Sequence, residues 1–114
     1  MLKTEYRLKK RKEFNYIYRK GESYSNKYLS LFVSKTPKRV KKIGFSVSKK
    51  IGKAYVRNKL KRQMRAILNQ LIENIEDNYA YVFMAKVGLQ ELSFNEIKEN
   101  IIYVLKKSGK LKEN

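Results

Sequence analysis

Eight fixed cations and no carboxylate lie in the twenty-one residues from Phe45 to Arg65, FSVSKKIGKAYVRNKLKRQMR. Lys49, Lys50 and Lys53 come first, on a segment broken by Gly52. Arg57, Lys59, Lys61, Arg62 and Arg65 follow at helical spacing, with Asn58 among them. Side chains of this kind hold and neutralise a polyanion, and they transfer no protons at neutral pH. A second set of residues could do different work. Phe14 and Tyr18 stand four residues apart, and Tyr28 and Phe32 alternate with Ser30 and Ser34. Aromatic rings over a floor of small hydroxyl residues can stack on unpaired bases.

The inventory is as informative for what it lacks. Without His there is no imidazole base or ligand, and without Cys no thiolate nucleophile, zinc thiolate or disulfide. No acidic pair is spaced for metal or acid/base work, so neither a catalytic residue nor a metal ligand is assigned. The net charge of +18 is also unevenly placed. Residues 23–72 hold fourteen Lys/Arg and no acid, whereas residues 73–114 hold six against seven acids. Such a block is the footprint of an anionic partner, nucleic acid before membrane.

At 114 residues the chain makes one domain, 1–114, with residues 1–10 and 110–114 expected to be loose. The basic N-terminus has no apolar segment after it. The apolar run from Tyr79 to Ala85 is too short to span a bilayer, so a cytoplasmic, membrane-free protein is expected.

Periodicity then places the chemistry on elements. Phe14, Ile17 and Tyr18 mark one face of a short helix that Gly21 is expected to end in the left-handed conformation. In YLSLFVS, Leu29, Leu31 and Val33 face a core, with Tyr28, Ser30, Phe32 and Ser34 on the other side. After a turn at 36–39 the next strand, Lys42 to Ser48, is expected to run antiparallel to that segment, with Ile43, Phe45 and Val47 facing the core and Lys42, Gly44, Ser46 and Ser48 facing away. A basic helix begins near Ala54, with Val56, Leu60, Met64, Ile67, Leu68, Leu71 and Ile72 as its apolar stripe. Tyr79–Lys86 is apolar on both faces and reads as a central strand. Ser93-Phe94-Asn95-Glu96 is a capping box opening a last helix, which Gly109 stops. The outcome is an α+β fold, a two-layer α/β sandwich in the order α-β-β-β-α-β-α.

Ser46-Val47-Ser48-Lys49-Lys50-Ile51-Gly52-Lys53-Ala54, followed by Arg57-Asn58-Lys59-Leu60-Lys61-Arg62-Gln63-Met64-Arg65, resembles the signature of the bacterial ribonuclease P protein subunit. Arg7-Leu8-Lys9 ahead of the aromatic helix, the Tyr79–Lys86 strand and the closing helix fit as well, so the resemblance spans nearly the whole chain. It implies a left-handed crossover around the basic helix. It also implies a ribonucleoprotein in which the RNA subunit, with Mg2+ bound mainly by RNA, hydrolyses the 5′ leader from precursor tRNA.

By the same resemblance, Lys49, Lys50, Lys53, Arg57, Asn58, Lys59, Lys61, Arg62 and Arg65 would contact the catalytic RNA. Phe14, Tyr18, Tyr28, Phe32, Ser46 and Ser48 would hold the leader. Partners would be ribonuclease P RNA and precursor tRNA, with no DNA. Two positions depart from the family pattern: Lys59 replaces the usual Arg, losing bidentate phosphate recognition, and Ala66 stands where an acid is common. The alternative is a non-catalytic, ribosomal-type RNA-binding protein, which needs the basic ridge but no stacking floor. A helix-turn-helix would need a second helix where the strand pattern lies.

Overall fold

A computed structural model describes residues 2–37 and 40–112. The elements run α1 (Arg11–Lys20), β1 (Glu22–Ser25), β2 (Leu29–Lys35), β3 (Lys42–Ser46), α2 (Ala54–Leu71), β4 (Tyr79–Ala85) and α3 (Phe94–Ser108). The expected order of helices and strands is therefore observed. The strands form one sheet in the order β1-β2-β4-β3. β1 pairs antiparallel with β2, β2 antiparallel with β4, and β4 parallel with β3.

Consecutive β2 and β3 are therefore not neighbours, contrary to the antiparallel run their spacing suggested. β4 enters between them because it is the strand that is apolar on both faces: Tyr81 and Phe83 are fully buried on one side, Val82 and Ala80 on the other. Parallel pairing of β3 with β4 needs a crossover, and α2 is that crossover. Lys38 and Arg39 of the expected turn lie outside the described residues.

The main core is on one face of the sheet. Leu29, Leu31, Val33, Ile43, Tyr81 and Phe83 meet Leu60, Met64, Ile67 and Leu68 of α2 and Ile97, Ile101, Val104 and Leu105 of α3. The predicted apolar stripe of α2 is the one that packs. A smaller cluster on the opposite face joins Leu8, Ile17, Ala80 and Val82 with Phe14, Tyr18 and Phe32. There α1 crosses β2 and β4 and covers only part of the sheet.

Three local expectations change. Gly21 is extended rather than left-handed (φ −80°, ψ 162°). Glycine is needed there for space, since a Cβ would come within 2.6 Å of the Ile17 carbonyl oxygen and 2.8 Å of the Val33 carbonyl oxygen. Residues 2–10 are not a loose arm, and Met1 lies outside the described residues. Leu2 is buried in the main core and Leu8 in the smaller one, Leu8 N–H donates to the Ile43 carbonyl (2.8 Å), and Arg7 bridges Ile43 in parallel register. The arm thus covers the otherwise open edge of β3. Residues 110–112 are tied down, with Leu111 bridging Ile75 and the Glu76 N–H donating to the Lys110 carbonyl (2.9 Å), while 113 and 114 of the expected loose tail lie outside the described residues.

Other expectations hold. Gly109 takes the left-handed conformation after α3 (φ 74°). Ser93 Oγ accepts from the Glu96 N–H (3.2 Å) while Glu96 Oε1 accepts from the Ser93 N–H (2.9 Å).

Candidate nucleic-acid interface

The part of the sheet that α1 leaves uncovered becomes a cleft. Its wall is α1, with Phe14 and Tyr18 half-buried and their ring centroids 6.4 Å apart. Phe32 of β2 meets Tyr18 edge-on, centroids 4.9 Å apart at 77°, so it props the tyrosine. The tip of the Phe14 ring can approach β3 closely because Gly44 is beneath it: a Cβ there would be 2.6 Å from Phe14 Cζ. One recess of about 540 Å³ is lined by Lys9, Arg11, Phe14, Asn15, Tyr18, Phe45 and Ser46. A second, of about 210 Å³, shares Lys9, Phe14 and Phe45 and adds Arg7, Gly44, Lys61 and Arg65. An apolar floor is ringed by cations.

The basic residues are mounted by the loop and helix that follow β3. A single 3₁₀ turn at Lys49–Ile51 buries Ile51 in the core, and Gln90 Nε2 donates to its carbonyl (3.1 Å), which leaves Lys49 and Lys50 exposed. Gly52 has φ 154°, and Arg57 Nε donates to its carbonyl (3.1 Å), tying the loop to α2. Along α2, Arg57, Lys61 and Arg65 form a half-buried flank, of which Lys61 and Arg65 reach the smaller recess. Lys53, Asn58, Lys59 and Arg62 are exposed. Among the described residues the one ion pair is Lys41–Asp77 (3.2 Å), remote in type and burial from this ridge. The ridge cations have no carboxylate partner there, so like charges face one another along α2.

Of the residues assigned to the leader groove, Phe14, Tyr18, Phe32 and Ser46 come together. Tyr28 does not. It precedes β2, where Asn26 Oδ1 accepts from its N–H (2.9 Å), and its ring packs with the main core, close to Gly88. The alternation of β2 starts at Leu29 and does not reach Tyr28. Ser48 is likewise beyond the end of β3, exposed, and lines neither recess. Residues missed by sequence reasoning are Arg7, Lys9, Arg11, Asn15 and Phe45. Arg11 and Asn15 fall seven and three residues before Tyr18 on α1, a helical spacing that could have found both. Arg7 and Lys9 have no local signal, because the bridge from Arg7 to Ile43 brings them in. Phe45 stacks on Phe83 in the core (6.0 Å, 24°) and borders the cleft from the edge strand.

The family model described as Ribonuclease P matches residues 2–109. The chain belongs to the ribonuclease P protein family. It is 39% identical over 113 residues to the ribonuclease P protein component of Geobacillus kaustophilus, covering 98% of this chain and 93% of that one. The Enterococcus faecalis ribonuclease P protein component is 39% identical over 105 residues, with 91% and 89% covered. Among solved structures, the Staphylococcus aureus RNase P protein superposes with a TM-score of 0.84 at 29% identity, covering 94% of this chain and 98% of that one. The Thermotoga maritima RNase P protein superposes with a TM-score of 0.81 at 30% identity, covering 89% and 96%. The mixed four-stranded sheet with three helices is thus a ribonuclease P protein fold.

Proposed function

We propose that this chain is the protein subunit of a bacterial ribonuclease P, binding the catalytic RNA through α2 and the preceding loop and the 5′ leader of precursor tRNA in the aromatic cleft. The observation that carries the reading is the contiguity of two unlike surfaces: Lys61 and Arg65 of the basic helix line the same recess as Phe14 and Gly44. A ribosomal-type RNA binder would need the ridge alone. Leader nucleotides would stack on Phe14 and Tyr18, with Lys9 and Arg11 neutralising their phosphates. The hydrolytic chemistry is the RNA subunit's, in keeping with a chain that has no His, no Cys and no paired carboxylates in the cleft.

Magnesium belongs to this reading as an ion of the holoenzyme, bound by RNA. Among the described residues no three His, Cys, Asp or Glu side chains cluster as metal ligands, and the cleft's cations would repel a divalent ion. No carboxylate among the described residues lines either recess, so the cleft itself offers a divalent ion no anionic donor. Among the described residues no helix is long and apolar enough to cross a membrane. The protein's proposed place is the cytoplasm, where precursor tRNA is made.

The test adds the full chain to ribonuclease P RNA and follows precursor tRNA cleavage at limiting magnesium. Faster cleavage and tighter precursor binding are expected. Unchanged rates and affinities would leave the ribosomal-type reading.

A further inference from the structure

The cleft accounts for only one flank of α2. Lys61 and Arg65 turn toward the smaller recess, and Arg57 is bonded back to Gly52. Further round the helix, at steps of three and four residues, lies an exposed face: Tyr55, Asn58, Lys59 and Arg62. Among the described residues Tyr55, 72% exposed, is the most exposed of five large apolar side chains left in solvent. It is also the one aromatic of the five within the acid-free residues 23–72.

The fold has no need of this ring. Tyr55 belongs to neither core cluster, and its neighbour Val56 makes the helix's first core contact. Lone apolar side chains on a surface are ordinary, so position has to decide. Tyr103, also exposed, has the Lys107 ammonium 5.8 Å from its ring centroid, and Tyr79 has that of Lys110 at 4.0 Å. Among the described residues no cation lies over Tyr55, although Lys59 is one turn away. Nor is another aromatic ring paired with it among the described residues, and unpaired cations stand along the same side of the helix.

We propose that Tyr55 is a base-stacking anchor on the ribozyme-facing side of α2, taking an unpaired base of ribonuclease P RNA while Lys59 and Arg62 hold the phosphates beside it. The proposal rests on the reading that α2 grips that RNA. It adds a contact of a different kind to an otherwise electrostatic interface. Stacking needs the ring and not the hydroxyl, and it releases no counterions.

The experiment titrates ribonuclease P RNA with the full-length chain over a range of salt concentrations, comparing wild type with Tyr55→Ala, Tyr55→Phe and Arg62→Ala. Tyr55→Ala should bind roughly 5- to 100-fold more weakly, with the salt slope unchanged. Tyr55→Phe should stay within about twofold of wild type on the same stacking argument. Arg62→Ala should weaken binding and lower the slope by about 1. The free Tyr55→Ala protein should melt as wild type does.

Full affinity in Tyr55→Ala beside a weakened Arg62→Ala overturns the anchor alone. Full affinity in both overturns the role of α2 itself. A Tyr55→Phe as weak as Tyr55→Ala makes the contact a hydroxyl hydrogen bond, and a lowered melting temperature makes the ring structural; either result overturns stacking. Loss confined to precursor tRNA, with ribonuclease P RNA affinity intact, overturns the choice of partner.

Discussion

Gly44 and Tyr18 govern the cleft from opposite sides. A methyl group at Gly44 would meet Phe14 Cζ at 2.6 Å and Cε1 at 2.7 Å, both on a ring at the cleft surface that can swing outward. Gly44→Ala, which would also bring Leu8 Cδ2 to 3.1 Å, should therefore cost about 1–3 kcal/mol in urea unfolding and displace the ring that a leader base would stack on. Precursor tRNA affinity should fall while mature tRNA affinity does not; equal affinity changes for the two would separate Gly44 from leader binding. Tyr18→Ala should lower precursor-over-mature discrimination by about tenfold, in line with one lost stacked base. Phe32→Ala should do less, because its ring supports Tyr18 edge-on and lines neither recess. Competition binding with the two tRNAs ranks these variants, and a larger effect at Phe32 than at Tyr18 would contradict the prop.

Among the elements, α3 has the most local definition. Its capping box supplies a test that uses pH. The Ser93 backbone N–H and then its hydroxyl hold the Glu96 carboxyl below its ordinary pKa of 4.5. A carboxylate favoured in the folded state adds stability that is fully present above the ordinary pKa. That stability is lost as pH falls through the lower folded value. Glu96→Gln should thus melt below wild type at neutral pH, with the gap closing under acid conditions; a gap independent of pH would mean the charge is irrelevant. Ser93→Ala removes the other half of the box and should cost about 1 kcal/mol at neutral pH. The basic helix α2 has no such cap: Lys53 makes no side-chain capping bond. Its place is fixed instead by Leu60, Met64, Ile67 and Leu68, all buried.

Across the whole molecule, residues 2–9 and 110–112 close the fold. Leu2 is buried in the main core, and Arg7 and Leu8 dress the edge of β3 that carries Gly44 and Ser46. Leu2→Ala should cost roughly 2–4 kcal/mol in denaturant unfolding, whereas a detached arm would give no change. Because Lys9 follows directly on this docked segment and lines both recesses, loosening the arm should also weaken precursor tRNA binding.

What the sequence by itself determined is whatever repeats at short range. The α2 stripe, the Ser93–Glu96 box, the Gly109 stop and the inward faces of β2 and β3 each follow from spacing of 3.6 or 2 residues, and the charge block needs no fold at all. Its resemblance to the ribonuclease P protein signature fixed the family on the same local residues. Tertiary structure alone decided three matters. β4 slots between β2 and β3 because pairing energy is non-local and the doubly apolar strand gains most from the centre. Tyr28 leaves the groove because β2 begins at Leu29, where alternation starts to apply. Lys9 and Arg7 enter the cleft because a parallel bridge to Ile43, thirty-six residues away from Arg7, outweighs the freedom of a polar arm. Phe45–Arg65 declared a polyanion surface from its residue types; that this surface shares a recess with Phe14 is a property of the packed sheet.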